Sequence, residues 1–103
     1  MKTTGWNNGK FHKSGAGYGI KINKNDRDRY FGRGWDSVVI NIEGYGEIKV
    51  NISPSFWRGC SELRNIGIGR YMIEKGLTPW KKGNPPKFVL VTIGERRFKL
   101  IPL

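Results

Sequence analysis

Apolar and polar residues alternate in five stretches of the chain, and each alternation predicts a β-strand. In Tyr18–Asn23 the period of two places Tyr18, Ile20 and Ile22 on one face. In Ser37–Glu43 it places Val38, Ile40 and Ile42 together. In Glu47–Ile52 it gathers Ile48, Val50 and Ile52 and leaves Glu47, Lys49 and Asn51 outward. Gly44-Tyr45-Gly46 joins these last two strands, which predicts a hairpin with one core face and one wet face. A second hairpin follows from Lys87–Ile93, a turn at Gly94-Glu95, and Arg96–Ile101, where Phe98 and Leu100 alternate with Arg97 and Lys99.

Other segments carry helical signals. Asn23 or Asn25 can cap a short turn through Asp26–Phe31, with early acids suited to a helix N-terminus and Gly32 and Gly34 ending it. Ser53-Pro54 reads as a cap and first-turn proline. Phe56, Cys60 and Leu63 then recur at i, i+4 and i+7, which predicts about three helical turns over Pro54–Arg64 with Cys60 buried. After Asn65–Gly69, a second helix is expected over Arg70–Lys75. Ile68, Tyr71, Met72 and Ile73 would turn inward, with Gly76 as a left-handed stop. Lys81-Lys82-Gly83-Asn84-Pro85-Pro86 reads as a loop with a basic tip, because two prolines cannot donate to a ladder. Met1–Gly17 shows neither period and reads as a flexible basic arm. The expectation is α+β: residues 18–103 form one domain, a small open β-barrel or bent sheet of about five to seven strands with two or three short helices.

Composition narrows the function classes. Fifteen glycines and five prolines disfavour a helical bundle. A single cysteine, Cys60, excludes an intramolecular disulfide, and Met1–Gly5 lacks the apolar core of a signal peptide. No apolar run approaches the ~20 residues of a membrane span. The expected location is therefore the cytoplasm or nucleus, without secretion or membrane association. The formal charge of +11 calls for an anionic partner. It is unevenly spread: Met1–Trp35 carries +6, Asp36–Glu62 carries −2 and Leu63–Leu103 carries +7, so the central hairpin should face away from a polyanion.

Aromatic residues interleave with the cations in Arg29-Tyr30-Phe31-Gly32-Arg33-Gly34-Trp35, Trp57-Arg58, Arg70-Tyr71 and Trp80-Lys81-Lys82. Cations neutralise phosphates and rings stack on unpaired bases, so the pattern points to nucleic acid, DNA more than RNA. The candidate contacts are Lys24, Arg27, Arg29, Arg33 and Trp35 on one side and Trp57, Arg58, Arg64, Arg70, Lys81 and Lys82 on the other. A module that binds an acidic protein surface through its tryptophans is the alternative without nucleic acid.

Catalytic signals are sparse. The lone His12 lies in the predicted arm, which leaves a Ser or Cys nucleophile without a base, and one His with one Cys cannot form a structural zinc site. Gly15-Ala16-Gly17-Tyr18-Gly19 precedes a strand and lacks a P-loop ending, so it reads as a hinge. Asp36 with Glu47-Ile48-Lys49 resembles the acid and Glu-x-Lys layout of the restriction-endonuclease-like nucleases. That resemblance implies two carboxylates holding Mg²⁺ and a lysine assisting the attacking water. Otherwise no cofactor or metal is expected.

Gly69-Arg70-Tyr71-Met72-Ile73-Glu74-Lys75-Gly76-Leu77, followed by Lys82-Gly83 and strands at Phe88–Val91 and Phe98–Ile101, resembles the C-terminal part of B3-like DNA-binding domains. The resemblance covers about a third of the chain. It implies a pseudobarrel that lays two loop-bearing arms in the major groove of duplex DNA. By that analogy the contacts would come from Lys24–Arg33 and from Trp57 and Arg58.

Overall fold

The computed structural model describes residues 1–103. Seven strands form one sheet: β1 (Lys2–Asn7), β2 (Tyr18–Lys21), β3 (Ser37–Ile42), β4 (Gly46–Asn51), β5 (Glu62–Arg64), β6 (Lys87–Gly94) and β7 (Arg97–Pro102). Two helices accompany them, α1 (Lys24–Tyr30) and α2 (Ile66–Glu74), with a 3₁₀ turn at Pro54–Trp57. Neither helix is long and apolar enough to cross a membrane.

The strand order is β4-β3-β7-β6-β1-β2-β5, antiparallel except for the parallel pair β3–β7. The sheet curls until its two edges nearly meet. There the Asn65 Nδ2 donates to the Lys49 carbonyl at 3.0 Å, bridging the gap between β5 and β4. The architecture is a nearly closed α+β barrel, as the alternating pattern predicts. The inward residues of every long strand fill it. Ile20, Val38, Ile40, Ile42, Val50, Leu63, Phe88, Leu90, Phe98 and Leu100 are all buried. Each such side chain contributes about 1.5–3 kcal/mol of transfer free energy.

Each end of the barrel is plugged. Phe31 leaves α1, stacks on Phe98 at 4.8 Å between centroids and meets Phe56 of the 3₁₀ turn edge-on at 5.2 Å. At the opposite end α2 inserts Ile68, Tyr71 and Met72. Burial, with Glu43 adding, holds the Tyr71 phenol above its usual pKa, so it stays neutral in the plug. Gly69 lets α2 settle on the β1–β2 loop, since a Cβ there would lie 2.0 Å from the Gly15 carbonyl oxygen.

Both hairpins form with the predicted faces. The short helix forms too, capped by the Asn23 side chain accepting from the Asn25 N–H at 2.8 Å. The second helix begins earlier than expected, because Asn65 caps it by accepting from Gly67 N–H at 2.7 Å. Ile73 points outward.

Two expectations are corrected. The first seven residues are not an arm: β1 lies between β6 and β2 in the sheet, with register Thr3↔Phe88 and Gly5↔Ile20. Its inward positions are Thr3 and Gly5, and Gly5 is small because Pro86 and Met72 occupy the space a Cβ would need. The long helix over Pro54–Arg64 is absent. The turn stops at Trp57, Cys60 is exposed, and the chain becomes β5 once the Ser61 hydroxyl donates to the Ile22 carbonyl at 2.6 Å.

Candidate nucleic-acid interface

The α1 end of the barrel collects the first group of predicted contacts. Trp35 follows the Phe31–Gly34 turn and packs at 6.2 Å from Phe31, with Arg96 of the β6–β7 turn 5.8 Å from its ring. Trp57 sits at the end of the 3₁₀ turn, edge-on to Phe56 at 5.4 Å. Arg33 lies over Trp57 at 4.7 Å and Arg27 at 5.4 Å. An open groove of about 340 Å³ runs between the two indoles, lined also by Arg33, Asp36, Ile52, Ser53 and Pro54. The Trp57 indole N–H is buried without a partner in the protein. Lys24, Arg29 and Arg58 are exposed at this same end, with Arg29 over the Tyr30 ring at 5.4 Å.

Arg27 does not belong with the free cations. Its side chain is buried, its Nη1 donates to the Phe56 carbonyl at 3.0 Å, and its Nε donates to Asp28 at 2.9 Å. It ties α1 to the 3₁₀ turn and so fixes where Trp57 stands. The Arg27 hydrogen bond holds the Asp28 carboxyl below its usual pKa against an opposing desolvation, with the charges of Arg27 and Arg33 adding.

The outer wall β6-β1-β2-β5 carries a second positive surface. Thr4 of β1 pairs with Lys21 of β2 on one side and with Lys87 of β6 on the other, and Lys2 projects from the same face two residues away. All three lysines are exposed and none forms an ion pair. Glu62, opposite Lys21, is already engaged by Arg64 at 2.9 Å. Arg64 in turn lies 4.4 Å from the Trp6 ring. It reaches across Gly19, which pairs with Trp6 on one side and Arg64 on the other and offers no side chain to block the way. A groove of about 340 Å³ opens beside this stack, between Trp6, Asn8, Gly17 and Ile66.

The wall β4-β3-β7 is different. Two of its three outward cations are matched: Arg97 pairs with Glu47 at 3.2 Å and Lys99 approaches Glu43 at 3.7 Å, and Lys49 alone is unpaired. The central hairpin thus belongs to a largely neutralised face.

The predicted contacts are therefore divided. Lys24, Arg29, Arg33, Trp35, Trp57 and Arg58 gather at the α1 end, and Arg64 lies on the lysine-bearing wall. Arg70 on α2 and Lys81 and Lys82 after Trp80 lie at the far end, where Trp80 packs on Phe11 and Tyr18 at 5.1 and 6.0 Å. The sequence reading omitted Lys2, Trp6, Lys21 and Lys87. The signal was the alternation Lys2, Thr4, Trp6 within the segment read as an arm.

The nuclease arrangement is not assembled. Asp36 precedes the start of β3, whereas Glu47 pairs with Asn41 near its other end, so about 17 Å of strand separates the backbone positions that carry the two carboxylates. Glu47 is also held by Arg97. Neither group could share a metal ion with the other.

No protein-family model, curated protein or solved structure matches this chain.

Proposed function

We propose that the protein binds nucleic acid without catalysis, duplex DNA before RNA, through the lysine-bearing wall and the adjoining α1 end. The observation that carries this reading is the charge asymmetry of the barrel. One wall pairs Arg97 and Lys99 with its own acids and leaves only Lys49 free, while the other leaves Lys2, Lys21 and Lys87 unpaired beside a tryptophan–arginine stack. Lys21 and Lys87 flank β1 on adjacent strands, about 10 Å apart at the backbone, a spacing from which flexible ammonium groups can reach successive phosphates. Lys24 and Arg29 on α1 extend the positive surface towards Arg33 and Arg58. The resemblance of the C-terminal third to B3-like domains points to the same ligand class.

The test is a binding titration with duplex DNA, single-stranded DNA and structured RNA at several salt concentrations. Association should weaken steeply with salt, log K falling with a slope of roughly −0.9 per phosphate neutralised on duplex DNA. Duplex should rank first. Absent or salt-insensitive binding removes the reading, and stoichiometric capture of an acidic protein after nuclease treatment replaces it with the protein-interaction alternative.

A further inference from the structure

The groove between Trp35 and Trp57 is shaped for something smaller than a duplex. Its volume of about 340 Å³ lies at the lower end of the ~300–1,000 Å³ typical of small-ligand sites. Both indoles are half-buried and held by scaffold contacts, Trp35 by Phe31 and Trp57 by Phe56 and Arg27. They can therefore receive a flat ring at little ordering cost.

The polar groups around them define the ring. Arg33 is exposed, forms no ion pair and rests on Trp57, so its guanidinium is available to a phosphate next to the groove. Asp36 is exposed and also unpaired, and a carboxylate offers acceptors only. A quaternary ammonium fits less well, because the positive charges of Arg33 and Arg96 beside the two rings would repel it, whereas they do not repel a neutral base.

Resting on the nucleic-acid reading above, we propose that this groove takes one unpaired nucleobase, stacked on Trp35 and Trp57, and prefers guanine. Asp36 accepts the two adjacent N–H donors on the Watson–Crick edge of guanine, while Arg33 holds the neighbouring phosphate. Each of the other bases presents a single donor group on that edge next to an acceptor that repels a carboxylate, so they pair less well with Asp36.

The test compares a fully paired DNA duplex with duplexes of the same length carrying a single bulged G, A, C or T, using the full chain. Affinity and tryptophan fluorescence are both read. The bulged G duplex should bind about tenfold tighter than the paired one and quench tryptophan emission. Trp35→Ala should lose the bulge preference, its folding being checked by thermal melting. Asp36→Asn, at an exposed and unpaired position, should flatten the G preference while leaving the salt slope on paired duplex unchanged. That ratio does not move with the general gain in affinity from removing a negative charge. If Trp35→Ala does not fold, the wild-type ranking and Asp36→Asn decide the matter by themselves.

Equal binding of paired and bulged duplexes with a normal salt slope overturns the groove assignment and leaves the nucleic-acid reading intact. Loss of all salt-dependent binding removes both. Quenching of the tryptophans by a trimethyllysine peptide at lower concentration than by the bulged duplex overturns the base assignment in favour of a cation cage.

Discussion

Arg27 shows why an arginine in a basic segment need not be a ligand-binding residue. Its guanidinium is buried, donates to a backbone carbonyl and a carboxylate, and carries the Trp57 ring beside it. Arg27→Ala removes the charged partner of the Phe56 carbonyl. It should cost about 2 kcal/mol, after discounting the Asp28 contact for that side chain's 53% exposure. In a domain of this size that corresponds to a Tm roughly 10 °C lower in thermal denaturation. The salt slope of binding should stay the same in the folded variant, which separates a structural arginine from a phosphate-binding one. The partner carboxylate gives a pH signature. Because Asp28 titrates lower in the folded protein than in the unfolded chain, its contribution is present above the ordinary carboxylate range and fades as pH falls through the depressed folded value. Wild type and Asp28→Asn should therefore differ in Tm near neutral pH and converge in acid.

The element that changes the picture most is β1. As an arm, residues 1–7 would be dispensable. As a strand bonded on both sides, they hold β6 to β2, with the Met1 amine donating to Leu90 O at 2.8 Å and Gly5 N–H donating to Pro86 O at 2.8 Å. Deleting Met1–Asn7 should abolish cooperative unfolding, whereas an arm could be removed without a change in the melting curve. Amide hydrogen exchange gives the same test without truncation: the Gly5 N–H should be protected in the intact chain.

Both hairpins were legible in the sequence because their inward positions are apolar at every second residue and their turns carry glycine. β1 was not, because its inward positions hold Thr3 and Gly5, neither of them a hydrophobic signal, and the glycine is required by the space that Pro86 and Met72 leave. The expected helix over Pro54–Arg64 arose from a coincidence of spacing. Phe56 plugs the barrel end from a 3₁₀ turn, Leu63 fills the barrel from β5, and Cys60 between them faces solvent. The candidate site was half legible: charge and aromatic interleaving marked Arg33, Trp35, Trp57 and Arg58, while the lysines of the wall became a cluster only through strand register. The same register separates Asp36 from Glu47.

At the scale of the whole molecule, a charge of +11 acts through its arrangement and not its sum. Residues far apart in sequence, Lys2, Lys21 and Lys87, meet because the N-terminal strand pairs with the strand that follows it and with β6. The acids of the central hairpin meet Arg97 and Lys99 because β7 lies parallel to β3. The two walls should therefore respond differently to the same kind of substitution. Replacing Lys2, Lys21 and Lys87 by Gln should reduce the magnitude of the log K against log salt slope on duplex DNA by about 2.7, if each lysine neutralises one phosphate. Stability should change little, since all three are exposed and unpaired. Replacing Glu43 and Glu47 by Gln releases Lys99 and Arg97 on the opposite wall and raises the net charge by two. If total charge governed association, this variant would gain affinity and slope. If the wall governs it, the slope should stay within the error of wild type, because the released cations face away from the bound phosphates. Measured side by side at matched ionic strength, the two variants distinguish a general polycation from a protein with a binding face.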